Sequence, residues 1–269
     1  MHPRLLHSLV FIDPIFQRHL GPHAAFAKLS TMRRDQWPSR TVAAEKFRGS
    51  KFYQQWDSRV LDKWNEYGLR ELPTEQYPFS PKDNSEGPPV TLSTTVAQEV
   101  YLYNRAYYKD DRLLQDGNHT QEVHSEDIDG SLMYRPESQQ LHRRLDCFKP
   151  SVLYVFGKQS EASPPEYRDD KMQRTGTGVG GSGGVARGMV KQTVLDAGHL
   201  VCMEKPTECA DTIAPFLEGE LERWDQQERM RDERWSALTR RERVEINQKW
   251  RDAVGLEDRS ESKRKDGRL

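Results

Sequence analysis

The chain has 269 residues, 41 Lys and Arg against 42 Asp and Glu, and a formal net charge of -1. That length buries a real core in one large domain or two small ones, and a charged fraction of 31% against a norm of about 25% makes part of the chain solvated surface. The balanced charge argues against a dedicated nucleic-acid binder, which carries a basic excess, and no apolar run reaches the ~20 residues of a membrane helix. The opening residues hold one arginine, Arg4, and a short apolar stretch interrupted by Asp13, a poor secretory leader. Three scattered cysteines (Cys147, Cys202, Cys209) without a CxxC pair are expected to be reduced thiols, and Asn118 to be unmodified despite its sequon.

In chain order, Leu9-Val10-Phe11-Ile12 predicts a strand buried on both faces and stopped by Asp13-Pro14. Residues 30–150 read as a helical insertion in which Trp37, Phe47, Phe52, Tyr53, Trp56, Trp64 and Tyr67 recur at roughly helical spacing, broken by a loop from Phe79 to Pro89. Strands return at Val152–Phe156, closed by Gly157, and at Met189–Leu195, closed by Asp196-Ala197-Gly198; a helix over about 207–217 follows. Residues 218–269 hold 14 acidic and 14 basic residues, which predicts surface helices docked by Trp224, Trp235 and Trp250 with a frayed end. The resulting domains are 1–29 with 151–217 as an α/β core, 30–150 as a helical cap and 218–269 as a charged helical tail.

Several motifs are weighed and set aside. The run Gly176–Gly188 satisfies GxGxxG from Gly176 and again from Gly178, but a polar helix-like stretch precedes it and a strand follows, the reverse of a dinucleotide fingerprint. It is expected to be a flexible surface loop. His19 and His23 are separated by Gly21-Pro22, and His119 and His124 are five apart, so neither pair has the spacing of a zinc helix. No metal and no cofactor is expected.

His199 is different. It follows a strand end and a glycine and precedes a helix, the place where a sheet presents groups to a ligand. An imidazole there suits the general base of a nucleophile–His–acid triad. The orienting acid is expected a few residues beyond the preceding strand, in a Gly-x-x-Asp turn, but Gly157-Lys158-Gln159-Ser160 puts a serine at that place. Asp13, at the tip of the first strand, and Glu161, one residue late, are the two alternatives, with Asp13 ranked first.

Residues 2–16, 33–73, 151–160 and 174–206, together with the Trp/Arg/Glu-rich tail, resemble the fungal α/β-hydrolase family, in particular the peroxisomal lipase-like group and the hydrolases of AK-toxin biosynthesis. The most specific stretches are GTGVGGSGG at 176–184 and WPSR through FYQQWD at 37–57. The resemblance implies an α/β fold made of the last three parallel strands of the hydrolase sheet, a helical cap and a helical extension. It assigns His199 as catalytic histidine and Asp13 as acid. It implies an apolar acyl or polyketide-like ester or thioester substrate lined by the cap aromatics, with no cofactor. No G-x-S-x-G is read anywhere in the chain, Gly181-Ser182-Gly183 being taken as the nearest imitation and lacking a strand-to-helix elbow, so no nucleophile is assigned. The chain is expected to be the C-terminal portion of a serine hydrolase that is inactive alone. The alternative is a non-catalytic truncated product, or an interaction protein using the charged tail. The terminal Gly267-Arg268-Leu269 resembles a peroxisomal tripeptide, with the cytoplasm as the other location.

Overall fold

The computed structural model describes residues 5–17, 23–78, 87–103, 105–106, 133–134 and 136–255. The loop expected at 79–86, the sequon at Asn118, the His119 and His124 pair, His19 and the terminal Gly267-Arg268-Leu269 lie outside the described residues. The chain divides into two units, Met1–Phe216 and Leu217–Leu269.

The first unit is organised around three parallel strands. Strand β1 (Ser8–Ile12) pairs with β7 (Ser151–Gly157), and β7 pairs in turn with β8 (Val190–Leu195), giving the order β1-β7-β8. The register sets Leu9 beside Val152 and Val152 beside Val190. The central strand is buried at all seven positions because side chains leave a strand alternately to its two faces and both faces are covered. Val152, Tyr154 and Phe156 enter one core with Val190, Phe16 and Leu145; Leu153 and Val155 enter another with Ala197, Val201, Cys209 and Phe216. Leu141 of helix Pro136–Arg143 and Met172 of helix Pro165–Arg174 close the first face. The start of helix Pro206–Ala237 closes the second. The outcome is a three-layer α/β/α arrangement with strand tips aligned at one end.

Between β1 and β7 lies the insertion, which is mixed α and β where a helical one is expected. Helices Arg40–Arg48 and Ser58–Tyr67 pack beside an antiparallel sheet of β2 (Gln36–Trp37), β4 (Val90–Leu92) and β3 (Leu69–Glu71), in the order β2-β4-β3. A second pair, β5 (Arg105–Ala106) with β6 (Met133–Tyr134), is also antiparallel. Trp37, Phe47 and Tyr53 are buried against Leu69, Val90 and Leu92, with Trp56 and Trp64 packed on them. The aromatics therefore form the insertion's own core, while Phe52 and Tyr67 stay exposed. The rings sit on a strand, two helices and a 3-10 turn, which is why their spacing imitates a single helix. Arg33 adds a polar brace, donating to Glu99 at 2.6 Å and to the Tyr53 hydroxyl at 2.7 Å.

Among the contacts that tie the insertion to the core, two reach the helices that follow β8. The Asp57 amide donates to Met203 O at 2.8 Å, and the Arg59 guanidinium donates to Thr207 Oγ1 at 2.8 Å. Met203 and Thr207 follow β8 closely, so the insertion meets the core at the C-terminal end of the strands.

The second unit carries the rest of helix Pro206–Ala237 and helix Gln248–Ala253. Ion pairs one turn apart lace its surface, among them Arg229 with Asp225 and Arg241 with Glu245, each at 2.8 Å. Trp224, Trp235 and Trp250 are 45%, 54% and 61% exposed, so they are not the buried anchors the sequence leads one to expect. Arg243 instead stacks its guanidinium over Trp235 at 5.6 Å.

Candidate active site

The tip of β1 turns sharply. Asp13 continues the parallel ladder by donating its amide to Val155 O at 2.8 Å, yet its φ of 42° lies in the left-handed region, where a residue other than glycine is strained. That backbone turn aims the carboxylate back over the end of β7. There the Gly157 amide donates to Asp13 Oδ1 at 3.0 Å and the Ser160 hydroxyl donates to Oδ2 at 2.5 Å. Ser160 is the residue found where the sequence pattern expects an acid. The hydroxyl at that turn faces the carboxylate arriving from the neighbouring strand.

The third strand delivers the imidazole. Past Leu195 the chain folds close under the β7 turn, with Lys158 donating to Leu195 O at 2.8 Å and Gln159 to Ala197 O at 3.0 Å. Gly157 has to be glycine here, since a Cβ would stand 2.0 Å from the carbonyl oxygen of Gly198. The Gly198 amide donates to Glu204 Oε2 at 2.7 Å, which anchors the turn to helix Val201–Glu204. His199 then reaches across so that its Nδ1 lies 2.6 Å from Asp13 Oδ2, although the two residues are 186 positions apart. The Asp13 side chain is fully buried, whereas that of His199 is 42% exposed. Nε2 has no hydrogen-bond partner among the described residues. Glu161, the other candidate acid, is exposed and makes no hydrogen bond to His199.

Burial pushes the Asp13 carboxyl up, but the hydrogen bonds from His199, Ser160 and the Gly157 amide outweigh it and hold the group below its ordinary value. Because the folded value is depressed, ionised Asp13 stabilises the fold fully above its unfolded value of 3.8, and that contribution is lost as pH falls through the folded value. Urea unfolding of the wild type and of Asp13→Asn is accordingly expected to differ at about pH 6, with the gap narrowing as pH falls below about 4. An undiminished gap at the lower pH would refute this.

The glycine-rich run is not the flexible loop expected. Gly176 donates to Leu145 O at 2.8 Å, Gly178 to Asp146 O at 2.9 Å and Ser182 to Phe148 O at 2.8 Å, so its amides already have protein acceptors. A Cβ on Gly181 would lie 2.4 Å from Gly176 O and 2.5 Å from Asp146 O, which explains the glycine there. Gly180-Gly181-Ser182-Gly183-Gly184 does spell G-x-S-x-G, a match that reading the run only as an imitation of the motif passes over. Its geometry disqualifies Ser182 as a partner for His199. Phe148 precedes β7, so Ser182 sits at the N-terminal end of a seven-residue strand whose C-terminal end holds the site, about 20 Å away.

No family model matches the chain. A type I acyl-CoA thioesterase, mpaH', of Penicillium brevicompactum is 33% identical over 253 residues, a match covering 85% of this chain and 57% of that protein. The abhydrolase domain-containing protein AFT2-1 of Alternaria alternata is 26% identical over 223 residues, covering 80% of this chain and 75% of its own length. Among solved structures, the peroxisomal α/β-hydrolase Lpx1 of Saccharomyces cerevisiae superposes with a TM-score of 0.53 at 14% identity, covering 100% of this chain and 57% of that one. The chain has the α/β-hydrolase fold. It spans a little over half the length of the Penicillium relatives, and the α/β-hydrolase fold accounts for the parallel order β1-β7-β8 and for the insertion that separates β1 from β7.

Proposed function

We propose that this chain carries the histidine and acid of a serine-type α/β-hydrolase site acting on acyl esters or thioesters. The contact that supports the reading is Asp13 Oδ2 to His199 Nδ1 at 2.6 Å, placed at the strand tips with the imidazole's other nitrogen open. In this reading Asp13 keeps the proton on Nδ1, so Nε2 presents a lone pair. Nε2 takes the proton of a nucleophile's hydroxyl as its oxygen bonds to the acyl carbon, and the carboxylate stabilises the imidazolium that forms. The imidazolium then returns the proton to the leaving thiolate or alkoxide, and the same nitrogen activates the water that frees the acyl group. The nucleophile belongs to no described residue at this end of the sheet. The insertion, tied to residues 203 and 207, is the cap that excludes water from the reacting carbonyl.

The names of the relatives, a fungal acyl-CoA thioesterase and the Alternaria abhydrolase domain-containing proteins, support an acyl thioester or ester as the substrate class, and the resemblance to the hydrolases of AK-toxin biosynthesis suggests a place in fungal toxin chemistry. The peroxisome is the compartment proposed from the terminal Gly267-Arg268-Leu269.

The test pairs two measurements with p-nitrophenyl esters and an acyl-CoA. The purified chain is expected to show no turnover that His199→Ala removes, because an oriented base does nothing without a nucleophile. Joined behind an α/β-hydrolase segment ending in a G-x-S-x-G elbow, it is expected to hydrolyse the thioester, with a loss of about 10²–10⁴-fold or more on His199→Ala. Turnover by the chain alone that depends on His199 contradicts the missing nucleophile. A joined protein whose turnover is indifferent to His199 contradicts the site.

A further inference from the structure

Helix Pro206–Ala237 is 32 residues long, and from Leu217 onward it belongs to the second unit. Along that stretch large apolar residues return at alternating steps of four and three: Leu217, Leu221 and Trp224, then Trp235 and Leu238. The two intervening places in the same rhythm hold Glu228 and Arg231. A mean step of three and a half keeps such side chains in line on one face, and it is the repeat by which two helices wrap around each other. Leu238 stands one residue past the helix and is held to its last turn, its amide donating to Trp235 O at 3.3 Å. All five apolar members are exposed, Leu221 by 63%. The guanidinium of Arg243 lies over the Trp235 ring and still leaves it exposed. From Leu221 to Leu238 the seam runs about 25 Å, and an apolar line of that length left in water marks an interaction surface.

The charged pair in the middle decides what covers it. Glu228 and Arg231 are ion-paired to each other within the helix, Nη1 to Oε1 at 2.5 Å. Two copies of the helix run parallel and in register would set Glu228 against Glu228 and Arg231 against Arg231, like charges at the centre of the seam. Run antiparallel, the same residues complement one another. Leu221 then faces Leu238 of the second copy, Trp224 faces Trp235 and Glu228 faces Arg231, and the two-fold axis repeats each pair. Four alternating charges at the centre fix the register, with tryptophan and leucine layers on either side. One flank opposes this, because it brings Asp225 beside Asp232 of the second copy. Arg229, 2.8 Å from Asp225 in the same helix, offsets that repulsion. The seam is thus its own complement in one orientation and not in the other.

We propose that this seam is a self-association surface, on which a second copy of the chain docks antiparallel through Leu221–Leu238. The charged tail then serves to pair two copies, whether or not the His199 site is complete.

Sedimentation equilibrium of the purified chain over about 1–100 μM, with helix content followed by far-UV circular dichroism, tests the proposal. The wild type is expected to be a dimer. Glu228→Arg and Arg231→Glu, which each set like charges across the axis, are expected to weaken association about 100-fold or more with helix content unchanged. An equimolar mixture of the two single variants should associate again, which also shows that each is folded. The double variant Glu228→Arg/Arg231→Glu decides the orientation, because swapping both charges restores every antiparallel pair and leaves every parallel clash in place. It is expected to dimerise like the wild type, and a monomeric double variant overturns the proposal. A monomeric wild type overturns it also and leaves the seam to an unlike partner. An oligomer that both single variants leave intact assembles through another surface and overturns it as well.

Discussion

Asp13→Asn is expected to lower kcat about 10³–10⁴-fold in the protein that joins this chain to a nucleophile-bearing segment, with KM little changed. The reason lies in the three donors around the carboxylate. The Gly157 amide, which can only donate, points at Oδ1 and claims the amide oxygen of an asparagine there, while the Ser160 hydroxyl at Oδ2 can turn to accept. The amide NH₂ then faces His199 Nδ1 and forces the imidazole proton onto Nε2. A nitrogen that carries the proton has no lone pair with which to accept one from the nucleophile, and the base is lost without any change in shape. Glu161→Gln serves as the comparison, because Glu161 is exposed and is expected to leave kcat unchanged. A variant of Asp13 with kcat within about tenfold of wild type, together with a large loss in Glu161→Gln, would move the acid to Glu161.

The second large effect is structural. Gly157→Ala places a methyl 2.0 Å from Gly198 O and 2.8 Å from Ala197 O, both backbone atoms that no rotamer change can move aside. Relief requires the 197–198 segment to leave the β7 turn, which breaks the Gln159 to Ala197 hydrogen bond and carries His199 away from Asp13. The expected cost is about 3 kcal/mol, or a fall in Tm of about 6–12 °C for a domain of this size. Gly219→Ala is the control: nothing stands within 4 Å of its Cβ, and a helical glycine replaced by alanine gains about 0.5–1 kcal/mol. A Tm for Gly157→Ala within about 2 °C of wild type would show that the turn is looser than these distances require.

The three strands of the sheet were legible from their residues. Apolar runs ended by Asp13-Pro14 and by Gly157, and a mixed stretch ended by Asp196-Ala197-Gly198, locate β1, β7 and β8 to within a residue at each end. Burial on both faces holds for the central β7 alone; β1, expected to be buried on both faces, is half-buried with Ile12 exposed, and β8 exposes Lys191, Gln192 and Val194, because these two strands flank β7 in the order β1-β7-β8. The insertion was less legible because β2, β3 and β4 are two or three residues long, too short for a period of two to register. Its aromatics suggested one helical stripe, whereas tertiary packing collects them from several elements into a single core. At the site, His199 announced itself by its place after a strand and a glycine. Ser160 was noticed as a departure from the acid's usual place, but its bond to a carboxylate 147 residues away is a product of strand order that local sequence does not encode. The full burial of Lys171 was hidden for the same reason: within Tyr167–Arg174 it is one charge among five, and only the fold makes it the buried one. The glycine-rich run gave the opposite error, because many glycines signal either freedom or close backbone approach, and here the hydrogen bonds to residues 145, 146 and 148 decide for approach.

The pairing of His199 with Asp13 is the claim on which the functional reading depends, and proton NMR of the purified chain with ¹⁵N-labelled histidine addresses it without need of a substrate. A hydrogen bond of 2.6 Å from Nδ1 to a buried carboxylate is expected to give a low-field Nδ1 proton resonance assigned to His199. That resonance should vanish in His199→Ala, vanish or move far upfield in Asp13→Asn, and persist in Glu161→Gln. A low-field resonance that survives Asp13→Asn, or one that Glu161→Gln abolishes, would contradict the pairing.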